Sequence, residues 1–434
     1  MKLNTKQTVL VGLAFLSICA FWQLYDSVIP LVLKNTFHIS DDVAGIIMAL
    51  DNILALFLLP FFGTLSDRTT SRFGKRMPYI VCGTAAAVVL MNLLPMADKQ
   101  SNLVMFIAVL GLLLVAMGVY RSPAVALMPD VTPKPLRSKG NALINLMGAL
   151  GGMFTLGITS FVVTKDAVSG REDYTLLFTA VAVLMVLSVI VLMLTIRERK
   201  LADVVKESPA DALLEESTAV DGQAQGFAAL SPELRKSLVL ILISVFLWFL
   251  GYDAVTTAFT KYASVRWGYD IKAASQCLMI ATVGAVISYL PVGILATKFG
   301  RKRVIQVGVV VLAACFAVSA IFQTFHVAVY AVFVMIGASW AMINVNSYPM
   351  VVEIGKGSDV GKFTGYYYTF SMAGKIAAPI LSGLLLEHVG YWTLMPYAAV
   401  MVALAFVTIS MTKHGDNKPK LPQSKLEAFA ELDA

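Results

Sequence analysis

The segment YDSVIPLVLK at residues 25–34 recurs in altered form as YDAVTTAFTK at residues 252–261. Each copy begins with Tyr-Asp and ends with Lys, and the second copy lies 227 positions after the first. Nearly the same spacing relates Phe73-Gly74 to Phe299-Gly300. The two halves of the chain are therefore diverged copies of one ancestral segment. Each copy also places an acid inside an apolar stretch, where a charge is costly and usually functional.

The composition is that of a chain surrounded by lipid. Hydrophobic residues make up 58% and charged residues 14% of the 434 residues, and the mean hydropathy is +0.76. A soluble domain carries about 25% charged residues. At about 20 apolar residues per crossing, the sequence predicts twelve membrane spans, roughly at 8–33, 43–65, 77–96, 102–128, 138–164, 174–196, 237–260, 272–297, 303–322, 327–352, 361–386 and 391–411.

These spans predict an all-α membrane protein of two pseudo-symmetric six-helix bundles. The bundles comprise residues 1–196 and 237–412, and the polar segment 197–236 is predicted to be a cytoplasmic linker between them. Residues 413–434 are predicted to be a cytoplasmic tail. In transporters built from such repeats, the substrate site lies near the bilayer midplane at the interface of the repeats.

The distribution of Lys and Arg predicts that both termini are cytoplasmic. With that orientation the inner segments hold 25 of the 34 Lys and Arg residues and the outer segments hold seven, as expected because positive flanks stay in the cytoplasm. The inner and outer ends of helices named below refer to this predicted orientation. The same bias accounts for the net charge of +7 without a nucleic-acid partner. The short loops favour a bacterial cytoplasmic membrane.

The sequence carries no signature of catalysis or of a bound metal. It has no P-loop, no HExxH motif and no convincing nucleophile triad. The four cysteines lie singly in apolar spans, without a CxxC pair. We therefore expect no enzymatic activity, no cofactor and no metal. The expected partners are a small solute and membrane lipid, and the chain is expected to be a monomer.

Two predicted inner loops share a glycine that is followed by cations. The loop after span 2 reads LSDRTTSRFGKRMPYI at residues 65–80, and the loop after span 8 reads KFGRKR at residues 298–303. Glycine permits a tight turn, and the cations can pair with an acid at the helix end or on the facing bundle. We predict an inner gate, the alternative being that the cations only fix the topology. The predicted gating residues are Asp67, Arg68, Arg72, Gly74, Arg76, Gly300 and Arg301.

The first of these loops resembles the signature loop of the major facilitator superfamily. More narrowly it resembles the loop of sucrose/proton symporters, which neighbour the glycoside, pentoside and hexuronide cation symporters. The resemblance implies that spans 1, 4, 7 and 10 line a central cavity. The stretch RSPAVALMPD at residues 121–130 has the Pro, Leu and Pro frame of the melibiose branch, but begins with the Arg of the sucrose branch. The proton-carrying acid of the sucrose branch falls on Leu110, and the two acids of the melibiose branch fall on Ala55 and Leu59, so neither ion site transfers residue by residue.

Polar and aromatic residues in spans 1, 4, 7 and 10 form the predicted substrate site. An aromatic ring can stack on the apolar face of a sugar while carboxylates and amides bind its hydroxyl groups. The alternative is an interfacial aromatic belt in which Asp26 pairs with Lys34 and Asp253 with Lys261. The predicted substrate-binding residues are Trp22, Gln23, Tyr25, Asp26, Arg121, Trp248, Tyr252, Asp253, Trp340, Asn344 and Asn346.

Ionisable residues within the spans are candidates for coupling transport to a cation. Asp51 lies near the middle of span 2 and Lys375 near the middle of span 11, and the family resemblance implies that these spans face each other. A proton or Na⁺ can replace the lysine at the carboxylate, the alternative being a static ion pair. The predicted coupling residues are Asp26, Asp51, Asp253 and Lys375.

Together these features predict a secondary active transporter for a small polyhydroxylated solute. The expected solute is a mono- or disaccharide or a glycoside, and the expected coupling ion is H⁺ or Na⁺. An exporter of amphiphilic, drug-like solutes and an uncoupled sugar facilitator remain alternatives within the same fold. From a different class, a receptor that binds without transport is the further alternative.

Overall fold

Six long helices form the first half of the chain. The computed structural model describes residues 4–132, 137–165, 171–199, 201, 230–354 and 360–416. Two short antiparallel strands, β1 (Thr164–Lys165) and β2 (Glu172–Asp173), lie between the fifth and the sixth helix. The helices are α1 (Thr5–Asn35), α2 (Asp41–Asp67), α3 (Met77–Lys99), α4 (Leu103–Val131), α5 (Arg137–Val162) and α6 (Thr175–Thr195).

Six further helices form the second half. A 3₁₀ turn at Tyr391–Thr393 leads directly into the last of them. The helices are α7 (Pro232–Trp267), α8 (Ile271–Phe299), α9 (Arg301–Ile321), α10 (Ala328–Ile354), α11 (Val360–His388) and α12 (Leu394–Ser410).

The twelve predicted spans are confirmed in number and in position. Within the described part of the chain, twelve helices are long and apolar enough to cross a membrane. Only α7 departs from its predicted bounds by more than a few residues, because it begins at Pro232, inside the predicted linker, and continues to Trp267. The Ser231 hydroxyl accepts a hydrogen bond from the Leu234 amide at 3.4 Å, and proline suits the first helical position. Polar capping thus extends α7 beyond its apolar stretch.

The chain divides into two compact units, which differ from a simple division at the linker. Unit 1 comprises Met1–Ser40, Leu50–Asp211 and Asp270–Met279, and unit 2 comprises the remaining ranges, Asp41–Ala49, Ala212–Tyr269 and Ile280–Ala434. Most of the predicted linker, and the tail beyond residue 416, lie outside the described residues. The division of the sequence into bundles, linker and tail therefore stays a prediction.

The packing inside each unit repeats the duplication of the sequence. In unit 1, α1 packs against α5 and α6, and α3 packs against α4 and α6. In unit 2, α7 packs against α11 and α12, and α9 packs against α10 and α12. Helices α1 and α5 touch at Gly151, where an added Cβ would lie within 3.0 Å of the Leu16 carbonyl oxygen. Small residues allow this close approach of helix backbones in a membrane protein.

Candidate substrate and coupling sites

In unit 1, aromatic rings of α1 meet a guanidinium group from α4. The Trp22 ring packs edge-on against Tyr25, with centroids 5.6 Å apart and an interplanar angle of 82°. The Arg121 guanidinium carbon lies 5.4 Å from the centroid of the Trp22 ring, which is within the range of a cation–π contact. The substrate candidates of spans 1 and 4 therefore form one cluster.

Two acids belong to the same cluster. Asp51 interacts electrostatically with both Arg121 and Tyr25, and Asp26 also interacts with Tyr25. Asp51 Oδ1 accepts a hydrogen bond from Asn52 Nδ2 at 2.7 Å. Unit 1 thus places one predicted coupling acid, Asp51, beside the predicted substrate-binding Arg121, and a second, Asp26, beside Tyr25.

Unit 2 assembles the corresponding group from α7, α10 and α11. Tyr252 and Trp340 stack with centroids 3.8 Å apart and an interplanar angle of 4°, and Phe249 packs edge-on against Trp340 at 5.3 Å. Lys375 Nζ lies 5.2 Å from the centroid of the Phe249 ring. Lys375 also interacts electrostatically with Asp253. Each unit therefore holds an acid, a base and aromatic rings in one place.

Three buried polar atoms on α1 and α7 have unmet hydrogen-bonding capacity. Among the residues that the structure describes, Trp22 Nε1, Trp248 Nε1 and Asp253 Oδ2 have no hydrogen-bond partner. A buried polar atom without a partner costs about 1–3 kcal/mol. Buried atoms of this kind are rare in native proteins and call for a specific explanation. A polar solute or ion that reached them would supply one.

Other predicted substrate residues are less available to a solute. Asn346 is buried, and its Nδ2 donates to the Met342 carbonyl oxygen of its own helix at 2.9 Å. Gln23 Nε2 donates to Ser27 Oγ at 3.0 Å, one turn further along α1. Tyr25 and Trp248 are fully buried. The remaining predicted substrate residues are partly exposed: Trp22, Asp26, Arg121, Tyr252, Asp253, Trp340 and Asn344.

Lys261 has a partner that the sequence did not indicate. Its Nζ lies 2.7 Å from Asp41 Oδ1, at the start of α2. Asp253 and Lys261 are eight residues apart, which is about 12 Å of helix rise. The electrostatic partner of Asp253 is instead Lys375. The structure thus favours Asp253 as part of the aromatic cluster over the alternative pair with Lys261.

The predicted inner gate is built around Arg76. Its guanidinium group forms an ion pair with Asp67 and a hydrogen bond to Ser66. Its Nε lies 2.8 Å from Asp130 Oδ2 at the end of α4, and Lys75 Nζ lies 3.1 Å from the same oxygen. Arg76 is almost completely buried. Asp67 and Arg76 therefore lie together as predicted, whereas Asp130 was not expected to join them.

A second acid holds the turn that precedes α3. The Glu198 carboxylate accepts backbone hydrogen bonds from Lys75, Arg76 and Met77 at 2.9 to 3.1 Å. Gly74 adopts φ +114°, and an added Cβ there would lie within 3.0 Å of the Glu198 carboxylate. The glycine is therefore required both by the backbone conformation and by the closeness of the acid.

The loop before α9 repeats this arrangement in unit 2. Gly300 adopts φ +91°, and Asp416 Oδ1 accepts the Lys302 amide hydrogen at 2.8 Å. Lys302 Nζ donates to the carbonyl oxygens of Ser410 and Thr412 at 3.0 and 2.6 Å. Arg301 is the first residue of α9. Each predicted gate loop is thus capped by an acid that follows the sixth helix of its own half.

The two remaining gate candidates lie at the surface of unit 1. Arg68 is the first residue after α2 and is exposed. Arg72 is exposed too, and its guanidinium carbon lies 4.6 Å from the centroid of the Phe73 ring. For these two arginines, as for the other five gate candidates, a gating role stays a prediction.

The sequence matches a known family profile along most of its length. The profile of the Major Facilitator Superfamily matches residues 11–287 and residues 267–431. The two matches together cover both copies of the internal duplication.

Curated relatives match a shorter segment. The human proton-associated sugar transporter A is 29% identical over 175 residues, which is 36% of this chain and 22% of the relative. The mouse protein of the same name is 30% identical over 144 residues, which is 29% of this chain and 18% of the relative. The matched segment thus spans about a fifth of the length of these relatives.

Solved structures share the fold at low sequence identity. A D-xylose-proton symporter superposes with a TM-score of 0.69 at 16% identity, over 96% of this chain and 99% of the other. The nucleoside transporter NupG gives 0.66 at 16% identity, over 95% of this chain and 100% of the other. The xylose transporter XylE from E. coli gives 0.66 at 14% identity, over 99% of both. With twelve apolar helices in two repeated sets and a profile match over most of its length, this chain belongs to the major facilitator superfamily.

Proposed function

We propose that the protein is a secondary active transporter that moves a mono- or disaccharide, or a glycoside, together with H⁺ or Na⁺. Its family and fold are those of transporters. The observation that carries the proposal is the group in unit 2, where the Asp253–Lys375 pair lies beside the stacked Tyr252 and Trp340 rings. The proposed setting is a bacterial cytoplasmic membrane, with a monomeric chain and both termini in the cytoplasm.

The chemistry of the two clusters suits a polyol. A sugar presents hydroxyl groups that donate to carboxylates and accept from guanidinium, ammonium and indole N–H groups. Unit 1 offers Arg121 and the Trp22 indole, and unit 2 offers Lys375, Asp253 and aromatic rings. Sites for drug-like amphiphiles are mostly apolar with few charges. The names of the curated relatives and of the xylose symporter support the same class of solute.

The Asp253–Lys375 pair provides a route for cation coupling. A proton or Na⁺ bound at the Asp253 carboxylate would neutralise it and weaken its attraction to Lys375. Because the ion then changes which arrangement of charges is stable, it biases the conformational equilibrium of the transporter. Asp51 and Arg121 provide a second acid–base pair in unit 1. The pairing of Asp51 with Lys375 that the sequence suggested stays an alternative, and the experiment below separates the two.

The test is uptake of labelled sugars into proteoliposomes under separate proton and sodium gradients. We expect Asp253→Asn to keep sugar exchange without a gradient but to lose gradient-driven accumulation. Glu233→Gln, which changes an exposed acid at the start of α7, is the matched control and should accumulate sugar normally. Normal accumulation by Asp253→Asn would exclude Asp253 from coupling, and Asp51→Asn then tests the alternative.

The same assay distinguishes the competing functions. Accumulation that responds to neither gradient, with exchange intact, would indicate an uncoupled facilitator. No sugar uptake, together with transport of a lipophilic cation, would indicate an amphiphile exporter. Binding without counterflow would indicate a receptor.

A further inference from the structure

Two residues with hydroxyl groups flank the predicted substrate-binding arginine of α4. Tyr120 precedes Arg121 and Ser122 follows it. Successive side chains of an α-helix are rotated by about 100°, because one turn takes 3.6 residues. Tyr120 and Ser122 therefore leave α4 on opposite sides of the direction that Arg121 takes.

Tyr120 anchors α4 to α1. Its hydroxyl donates to the Ala14 carbonyl oxygen at 3.0 Å and shares a further hydrogen bond with Ser17 Oγ. All three residues are completely buried. A buried hydroxyl that loses its partners costs free energy. Any sliding or rotation of α4 against α1 is therefore opposed by the loss of both hydrogen bonds.

A third helix holds the backbone of the same tyrosine. An added Cβ at Gly83 of α3 would lie 2.8 Å from the Tyr120 amide nitrogen and 3.0 Å from its Cα. Helix backbones come this close in a membrane protein only where one helix presents a small residue. The position of Tyr120 is thus fixed at its hydroxyl by α1 and at its backbone by α3.

Ser122 anchors α4 to α2. Its Oγ donates to the Leu59 carbonyl oxygen at 2.6 Å. One turn earlier on the same face of α4, an added Cβ at Gly118 would lie 3.0 Å from Leu58 Cδ1. All of these residues belong to unit 1. A side-chain hydrogen bond and a close glycine contact therefore fix α4 against α2.

The two anchored helices also carry the partners of the arginine. The Arg121 guanidinium lies over the Trp22 ring of α1 and interacts electrostatically with Asp51 of α2. Groups that bind a solute must be held within about 0.5 Å of their working positions by packing and by hydrogen bonds of their neighbours. The anchors hold α4 against the two helices that Arg121 has to reach.

The other half of the chain lacks the tyrosine anchor. At the spacing that relates the two predicted gate loops, Asn346 of α10 occupies the position of Tyr120, and a serine replaces the arginine. Asn346 Nδ2 donates to the Met342 carbonyl oxygen of its own helix at 2.9 Å. The repeated fold therefore does not require this anchor, which occurs in the half that carries the arginine.

We propose that Tyr120 and Ser122 are positioning residues, which set the register and rotation of α4 so that Arg121 is held beside Trp22 and Asp51 to bind the solute. Their hydroxyl groups are engaged by the backbones of α1 and α2, and both act through Arg121. The inference rests on the proposed transport function, because that function makes Arg121 a solute-binding group.

The first test detects the position of the guanidinium without any solute. Protein labelled with 5-fluorotryptophan has one fluorine for each of its five tryptophans, and the resonance lost in Trp22→Phe is that of Trp22. Arg121→Gln should shift this resonance because the cation leaves the ring. Tyr120→Phe and Ser122→Ala should shift it in the same direction, at least about half as far, although they retain Arg121. The resonances of the other tryptophans should not move.

Matched controls separate positioning from general damage. Tyr174→Phe also removes the hydroxyl of a buried tyrosine, one that donates to Glu172 Oε2 at 2.6 Å before α6. Ser188→Ala removes a buried hydroxyl within α6. Both controls should leave the Trp22 resonance in place. If Tyr120→Phe and Ser122→Ala are monodisperse in detergent and also leave it in place, or if they shift every tryptophan resonance, the positioning role is refuted.

The second test measures solute binding through uptake into proteoliposomes. Tyr120→Phe should raise the sugar concentration for half-maximal uptake about threefold or more and keep the maximal rate within about twofold, because a displaced Arg121 weakens binding throughout. Tyr174→Phe should keep both wild-type values. An unchanged half-maximal concentration would overturn the role of the anchors in binding while the proposed function stands. A wild-type protein that transports no sugar would overturn the proposed solute, and the Trp22 resonance would still decide whether the anchors position Arg121.

Discussion

Tyr252 on α7 and Trp340 on α10 stack face to face, with ring centroids 3.8 Å apart. The stack covers one face of the Trp340 ring, and Phe249 packs edge-on against it. The ring of Trp340 is therefore held rigidly beside Asp253 and Lys375, and a solute can reach only its remaining surface.

The stack should contribute measurably to stability. An aromatic pair contributes about 0.5–1.5 kcal/mol beyond its buried area. We expect a double-mutant cycle of Tyr252→Leu and Trp340→Leu to give a coupling free energy in that range, measured by unfolding in mixed micelles. Tyr330 lies on the same helix as Trp340, ten residues away or about 15 Å of rise. Tyr330→Leu and Trp340→Leu should therefore be additive, and equal coupling in both cycles would contradict the assignment.

The buried Arg76 should not tolerate lysine. Its planar guanidinium group donates hydrogen bonds to Asp67, Asp130 and Ser66 at the same time. The ammonium group of a lysine cannot reach all three acceptors in the same way. We expect Arg76→Lys to lower the free energy of unfolding by about 1.5–3 kcal/mol, since hydrogen bonds to charged groups contribute that much. Arg72→Lys, at an exposed position, should change it by less than about 0.5 kcal/mol. If the two variants changed the free energy of unfolding equally, Arg76 would serve only to fix the membrane topology.

Gly74, which adopts a positive φ just before α3, should not tolerate substitution by alanine. At Gly74 a methyl group meets both an unfavourable φ and the Glu198 carboxylate, so we expect Gly74→Ala to cost about 1–3 kcal/mol. Gly111 has open space around it within α4, and Gly111→Ala should be neutral or stabilising by about 0.5–1 kcal/mol. Thermal unfolding of both variants in detergent checks the contrast. A Gly74→Ala protein as stable as the wild type would mean that the Glu198 cap does not form.

Asp173 should make the stability of the outer end depend on pH. Partial burial raises the pKa of its carboxyl, but hydrogen bonds from Thr175 and Lys99 outweigh burial and lower the pKa overall. A carboxyl with a lowered pKa stabilises the fold above its ordinary pKa of about 3.9, and this contribution is lost as the pH falls through the lowered value. We expect Asp173→Asn to lower the Tm at pH 7 and the difference from wild type to shrink below about pH 4. Asp270→Asn, at an exposed site, serves as the control, and a difference that persists in acid would contradict the pairing.

The helices could be predicted closely because lipid imposes long apolar runs, and a span is visible in local composition. The contact between Asp67 and Arg76 could be anticipated because both residues lie in one short segment, whereas their gating role stays a prediction. Asp130 and Glu198 could not be assigned in the same way, because each lies more than fifty residues from Arg76 and no local pattern connects them. The one available signal was positional, since Glu198 and Asp416 each follow the last helix of their half.

Charged residues inside the spans were the hardest to pair. The sequence offered Lys261 as a partner for Asp253, but the pitch of α7 separates them and Lys261 instead meets Asp41. Partners of a buried charge are chosen by helix packing, which a single sequence does not specify. The spacing of Trp22 and Asp26 placed them on one helical face, but the Tyr252–Trp340 stack joins two helices and has no local signal in the sequence.

The length of α7 has a practical consequence. Its 36 residues rise about 54 Å, whereas the hydrocarbon core of a bilayer is about 30 Å thick, and its first residues, Pro232 and Glu233, are exposed. A small folded marker joined to Glu233 by a continuous helix, with Pro232 replaced by alanine because proline inside a helix kinks it, would therefore share the orientation of α7. Such a rigid fiducial would help electron cryomicroscopy to align particles of this 46.9 kDa chain.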